Sequence, residues 1–344
     1  MTTPAAAADA PDSSIVIGCG TDEPFAMPTT VTLFAALEHL PATRPILIVV
    51  ADGGMREKTR RRMRRVLSRA SPPVALEIVP VTSRHLAHLP TPGHLGPAAY
   101  FRLLLPSIVP DRFAKAIYLD SDLLVRRDLS ALWDQPLDGR PLLAVREYSA
   151  PVVSSAAGMP EYLEIGLDPE TPYLNSGVLV VNLDAWRREE IAVAIADYVA
   201  AHRNRNRYGD QDGINAILAG RWGELDLRWN VPAYIGQDRI FRDLEPSAHK
   251  EWLANARWTF LREAYVFHFI GAKKPWQPGC ALPGQLEWLD AARRCGWFNA
   301  WDPRHRAWRA LLRADRRLRL LLRRAREAMR AGAESGLPSP PNLR

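Results

Sequence analysis

The feature that most constrains this 344-residue chain is a repeated alternation of short apolar, β-branched runs with stretches of helical periodicity. Ser14 to Gly18 reads as a first buried strand, ended by a Gly-rich turn at Gly18-Cys19-Gly20. Residues 28–40 follow with a 3.6-residue apolar repeat, then Pro45 to Ala51 as a second strand closed by Asp52-Gly53-Gly54. Residues 55–69 predict an Arg-rich helix with Met63, Val66 and Leu67 facing inward, read as presenting a solvated basic outer face. Leu76 to Val81 gives a third strand. Strands alternating with helices at this spacing predict an α/β chain with a mostly parallel sheet covered on both faces.

Further along, residues 97–109 predict a helix and Ala114 to Leu119 a strand that ends in Asp120-Ser121-Asp122. Leu142 to Val145, Ser176 to Asn182 and Tyr265 to Ile270 read as strands, Leu183 to about Ala201 and residues 211–220 as helices. After Gly271 the chain becomes a Pro- and Trp-rich loop, and from about Trp301 it is helical and very basic. The organisation expected is a leader at 1–13 without structure, a main domain at 14–300, a basic amphipathic helical tail at 301–334 and an unstructured end at 335–344.

Charge narrows the partners. Net charge is +7, yet Arg304 to Arg330 holds eleven Arg against Asp315 and Glu327, a balance of +9, so the rest stands at −2. The basicity belongs to the tail, and no aromatic-basic interleaving marks a nucleic-acid binder. The tail reads either as a helix packed on the core or as an interfacial helix on anionic lipid, with Trp308, Leu311, Leu312, Leu318, Leu322 and Met329 on one side. Cys19, Cys280 and Cys295 are too scattered for a disulfide framework. Residues 1–13 lack the features of a signal peptide, and no run of about 20 apolar residues suggests a membrane span. A cytoplasmic protein is expected, with peripheral contact on the inner face of the membrane under the second reading of the tail.

Asp120 and Asp122 stand at i and i+2, so on an extended backbone their carboxylates point the same way and can chelate one hard divalent cation. An isolated D-x-D reads equally as a turn with a capping Asp. Here the apolar Ile117-Tyr118-Leu119 run would carry both groups to a sheet edge. His268 lies in an apolar strand followed by Gly271 and the Lys273-Lys274 pair, residues suited to a diphosphate. A neutral imidazole beside two carboxylates suits Mn²⁺ better than Mg²⁺. Asp210-Gln211-Asp212 opens a helix, where Asp212 reads either as a cap or as a site residue. Asn175-Ser176-Gly177 enters a strand, with Gly177 allowing a ligand close to the backbone.

Taken in order, Y-L-D-S-D-L-L-V, Y-L-N-S-G-V-L-V-V-N-L, D-Q-D-G-I-N and H-F-I-G-A-K-K-P-W resemble family 8 of the retaining nucleotide-sugar glycosyltransferases. That group contains bacterial lipooligosaccharide galactosyltransferases and glycogenin, and the resemblance covers roughly residues 14–300. It implies a GT-A-type, Rossmann-like mixed sheet, mostly parallel and flanked by helices, followed by the basic tail. It implies transfer of a hexose, galactose or glucose, from a UDP-sugar to a glycan or lipid-linked acceptor.

Carried over by position, the resemblance implies Asp120, Asp122 and His268 as ligands of Mn²⁺ (or Mg²⁺). Asn175, Ser176 and Asp210 would hold the donor sugar, and Gln211 would sit beneath its anomeric carbon, with Asp210 as an alternative nucleophile. Arg102 would reach the sugar, against a plain reading as a surface helix Arg. Asp22 would contact the uridine, Ser121 the donor, and Gly271 and Lys274 the diphosphate. Two departures stand out: Pro24 occupies a position where a polar Asn is common, and Glu147 one where Asp is frequent. A haloacid-dehalogenase-like phosphohydrolase and an inactive nucleotide-sugar-binding protein are the alternatives. The first would place its D-x-D in the first strand rather than at residue 120.

Overall fold

A computed structural model describes residues 10–70, 74–81, 86, 89–90, 96–237, 257–297 and six positions between 307 and 314. Most of the leader, nearly all of the tail and the C-terminal end expected from the sequence lie outside the described residues.

Two sheets carry the fold. The larger has seven strands in the order β3-β2-β1-β4-β7-β6-β8. These are β1 (Ile15–Thr21), β2 (Ile46–Asp52), β3 (Val74–Pro80), β4 (Lys115–Leu119), β6 (Leu142–Arg146), β7 (Leu174–Asn182) and β8 (Gly223–Glu224). The pairs β2/β3, β1/β2, β1/β4 and β6/β8 are parallel, and β7 is antiparallel to both neighbours. β1 and β2 are buried along their whole length, as expected of strands covered on both faces. Two apolar clusters fill those faces, one around Ile17, Ile48 and Ile117, the other around Val16, Leu47 and Tyr118. The smaller sheet joins β5 (Leu123–Val125), β10 (Val266–His268) and β9 (Val231–Pro232).

Helix α1 (Ala26–His39) follows β1, and α2 (Glu57–Leu67) follows β2 with Thr59, Met63, Val66 and Leu67 buried. The expected turn at Gly18-Cys19-Gly20 is instead the middle of β1. Its glycines make room for neighbours: a Cβ on Gly18 would stand 2.2 Å from Leu105 Cδ2, and one on Gly20 2.7 Å from Phe101 Cβ. Those neighbours belong to the segment expected as a helix over 97–109. It forms a 3-10 helix, Pro97–Leu104, and then α3 (Leu105–Ile108), with Pro106 in its first turn.

The single helix expected over Leu183 to Ala201 is two, α5 (Leu183–Arg188) and α6 (Ile191–Ala201), after the short α4 (Ser130–Trp133). Glu190 turns left-handed between them at φ 48°, with no Gly or Pro to announce it. Tertiary anchors decide the break. Arg187 donates to the carbonyls of Val109 and Pro106, while Ile191, Ile195 and Val199 seat α6 against the core. Helices α7 (Asp210–Ile217) and α8 (Gln285–Cys295) complete the part needed here. Among the described residues no helix is long and apolar enough to cross a membrane.

Candidate active site

The two sheets meet at Asp120-Ser121-Asp122, the turn between β4 and β5. Because β7 runs antiparallel to β4, its first residues lie beside that turn, and Asp120 N donates to the Gly177 carbonyl at 2.9 Å. Because β10 pairs antiparallel with β5, His268 lies opposite Leu123, and Phe269 N donates to the Asp122 carbonyl at 3.0 Å. The topology therefore brings residues 120, 122 and 268 together from about 150 positions apart. Ligand atoms of Asp120, Asp122 and His268 all lie within 4.8 Å of one another. His268 Nε2 is 3.4 Å from Asp122 Oδ1 and 3.7 Å from Asp120 Oδ2.

A hydrogen-bond relay fixes that imidazole. Gly177 N–H donates to Asn175 Oδ1 at 2.9 Å, so the Asn175 amide donates from Nδ2 to Glu147 Oε2 at 2.6 Å. Asn230 Nδ2 donates to the same Asn175 oxygen at 2.7 Å. Asn230 Oδ1 is then left to accept from His268 Nδ1 at 2.9 Å. The proton belongs on Nδ1, and the lone pair of Nε2 faces the two carboxylates, as a metal-binding imidazole requires. Glu147 anchors the far end, accepting from Tyr234 Oη and from Ser149 N, each at 3.0 Å. Two carboxylates and one such nitrogen fit a divalent transition-metal cation such as Mn²⁺. Gly177 serves this packing rather than a ligand, since a Cβ there would stand 2.2 Å from His268 Cε1.

The two acids of the turn differ. Burial pushes both upward. On Asp122 it is outweighed by Lys274, whose Nζ donates to Oδ2 at 2.5 Å and which holds the carboxyl well below the usual range. On Asp120 burial prevails, although Arg102 opposes it. Asp120 Oδ1 accepts from Arg102 Nη2 and from Tyr118 Oη, both at 3.0 Å.

Arg102 is no surface residue. It is 6% exposed, lies over the Tyr118 ring and also faces Asp210, with Nε 2.5 Å from Oδ2. That contact gives Asp210 Oδ2 a counter-charge without hydrogen-bond geometry, which leaves the oxygen unsatisfied. Burial consequently raises the Asp210 carboxyl to about 7 against the pull of Arg102. Gln211 Oε1 accepts from Ser176 N at 3.1 Å and Ser176 Oγ at 3.2 Å, so the N-S-G and D-Q-D motifs meet across one gap. Asp212 does not cap its helix but ties down the loop before it, accepting from Arg207 N and Tyr208 N at 2.7 and 3.0 Å and from Tyr173 Oη at 2.6 Å.

Ser121 is held inside the protein, its hydroxyl donating to the Gly20 carbonyl at 2.8 Å and accepting from Thr29. Gly271, at φ 88°, turns the chain after β10 toward Lys274, whose Nζ also donates to the Phe269 carbonyl at 2.8 Å. Asp22 Oδ1 accepts from Phe25 N at 3.0 Å and lines a pocket of about 440 Å³ beyond the C-terminal ends of β1 and β2. Asp52, Arg60 and Phe101 line it too, residues that no sequence motif marked as functional. The Asp52-Gly53-Gly54 strand end was a signal for Asp52 alone. Asn230 had none, because its partner is brought by the pairing of β9 with β10.

The family model described as glycosyl transferase family 8 matches residues 16–279. General stress protein A of Bacillus subtilis (strain 168) is 26% identical over 292 residues, 84% of this chain and 96% of the relative. An active-site mutant of LgtC is similar in structure, with a TM-score of 0.68, 26% identity, and coverage of 81% of this chain and 95% of LgtC. The galactosyltransferase LgtC with donor and acceptor sugar analogues gives a TM-score of 0.67 at 24% identity, covering 86% of this chain and 100% of the other.

Proposed function

The chain belongs to glycosyl transferase family 8 and is a glycosyltransferase; on that premise we propose that it moves a hexose from a UDP-sugar to a glycan or lipid-linked sugar acceptor, with retention of configuration. Membership sets aside the phosphohydrolase alternative. The observation that carries the finer reading is the Asp120, Asp122 and His268 cluster with Lys274 on its rim. Galactose leads glucose as the sugar, since a galactosyltransferase is among the similar structures.

In this reading Asp120, Asp122 and His268 hold Mn²⁺ (or Mg²⁺), which when bound supplies positive charge to the leaving diphosphate. Lys274 adds a second positive charge at the same point, and Gly271 lets the backbone approach it. Asp22 and the 440 Å³ pocket take the nucleoside. The sugar then lies toward Gln211, Asn175, Ser176 and Asp210. Gln211 is an amide whose oxygen is already held by Ser176, so it is a poor nucleophile. Asp210 is a carboxylate, but it stands behind Arg102 and is readily protonated. Both facts favour attack by the acceptor hydroxyl on the face the diphosphate leaves. The new bond joins that hydroxyl oxygen to the anomeric carbon, the bond to the phosphate oxygen breaks, and that phosphate oxygen takes the proton.

The basic stretch 301–334 would hold the enzyme against the inner face of an anionic membrane, where lipid-linked acceptors lie. The test of the main reading is a panel of nucleotide sugars with Mn²⁺, Mg²⁺ or chelator, following release of nucleotide diphosphate. Release from a UDP-hexose that chelator abolishes is expected. Release undiminished in chelator would refute the metal site, and metal-dependent binding without release would make the chain an inactive nucleotide-sugar-binding protein.

A further inference from the structure

The β1–α1 turn separates two cavities. Asp22 lines the 440 Å³ pocket, whereas the next residues, Glu23 and Pro24, line a larger cleft of about 790 Å³. That volume lies within the range of small-molecule sites. One wall is α2, which presents Lys58, Arg61, Arg62 and Arg65 to the cleft. These occupy i, i+3, i+4 and i+7, a single stripe on a helix, on a different face from the buried Thr59, Met63 and Val66. The other wall carries Trp276 and Trp297. The basic face expected to be merely solvated therefore lines a concavity.

Among the described residues the stripe has almost no counter-charge. Glu23 is the acid among the cleft's lining residues, and it is occupied, accepting from Arg56 Nε at 2.6 Å, Arg56 N at 2.8 Å and Thr59 Oγ1 at 3.0 Å. Arg61 comes within 3.9 Å of Glu57, but both side chains are more than 60% exposed, so that pair is weak. Arg62 lies over the Trp297 ring, 5.5 Å from its centroid. Lys58 and Arg65 have no ion-pair partner among the described residues. Like charges at these spacings destabilise a helix, and an anion lying along the stripe would relieve that. Arg304 to Arg330 is itself at +9, so that stretch as a whole is no counter-charge for the stripe.

Trp276 in the other wall is braced by neighbouring rings. Trp276 meets Phe25 edge-on at 6.0 Å and packs against Trp288 at 5.2 Å. Aromatic walls suit the apolar faces of sugar rings, and Arg forks suit phosphate. Trp276 is also only two residues, at most about 7 Å of chain, from Lys274 on Asp122. We propose that this cleft binds the phosphate-bearing part of a saccharide, the anionic portion of the acceptor. Its assignment to the acceptor rests on the glycosyl-transfer reading; the anion site itself does not.

The test titrates glucose 6-phosphate, glucose and phosphatidylglycerol vesicles into the full chain by calorimetry, in chelator so that the metal cluster takes no phosphate. Glucose 6-phosphate should bind about tenfold more tightly than glucose, and an Arg61→Gln/Arg65→Gln variant should lose about tenfold. Donor hydrolysis by that variant with metal present should match the parent. Equal binding of the two sugars overturns the proposal, as does unchanged binding by the variant. Displacement of the sugar phosphate by vesicles at matched phosphate concentration also overturns it, assigning the cleft to lipid headgroups. Absent donor hydrolysis in the parent chain counts against the metal reading and leaves this outcome unaffected.

Discussion

Asp122 and Asp210 are carboxylates of one site, each facing a cation, yet their environments pull in opposite directions. Asp122 is 13% exposed and receives a direct hydrogen bond from Lys274, with His268 on its other oxygen. It is held ionised, as a cation ligand must be. Asp210 is 2% exposed and has charge from Arg102 without a hydrogen bond on Oδ2, so burial prevails. A counter-ion alone does not fix the state of a buried acid; hydrogen-bond geometry and residual solvent decide it. One half of the site is thereby tuned to hold charge; under the proposed reading the other half, with its amides, hydroxyls and an acid near its titration point, receives the neutral sugar.

The comparison is broken most severely at its charged half. Asp122→Ala should lower nucleotide diphosphate release by at least about 10³-fold in a steady-state assay. Activity within tenfold of the parent would show that this half holds no functional cation. Next comes Gly177→Ala, which replaces neither a ligand nor a charge but drives a methyl into the ligand His268. A loss of about 100-fold in activity is expected with the circular dichroism spectrum unchanged, since displacements of about 1 Å cost that much. Asn230→Ala removes the acceptor that fixes the His268 proton on Nδ1. Calorimetry should show Mn²⁺ binding weakened by about 10- to 100-fold; an unchanged affinity would make the relay a packing feature only.

The smallest effect sharpens the other half. Asp210 titrates near 7 in the folded protein, above its value of about 3.9 in an unfolded chain. The folded form therefore keeps a proton that the unfolded chain has lost. The stabilisation it contributes is complete below about pH 4 and is lost as pH rises through about 7, at up to about 1.4 kcal/mol per pH unit. Asp210→Asn removes that dependence. Urea unfolding in chelator between pH 4 and 8 should show the parent falling relative to the variant, whereas parallel curves would mean that Arg102 keeps Asp210 ionised.

Much of the scaffold was legible because its strands are apolar along their whole length, and β1, β2 and β4 lie close to where their runs predict. The Asp120, Asp122 and His268 grouping was legible as motif order, and strand pairing supplies its geometry. The Gly18–Gly20 segment misled because glycine in a strand looks like a turn until Leu105 and Phe101 are seen against it. The α5/α6 break and the role of Asn230 left no local signal, since distant partners set both. Arg102 as a buried tie between Asp120 and Asp210 was likewise invisible to helical periodicity.

The central claim is that Asp120, Asp122 and His268 together bind one divalent cation. Pulsed electron paramagnetic resonance of the Mn²⁺-loaded chain tests it most directly. The account predicts one tightly bound ion per chain with a nitrogen coupling that vanishes in His268→Gln. An ion that shows no nitrogen coupling, or one that keeps it in His268→Gln, would contradict it.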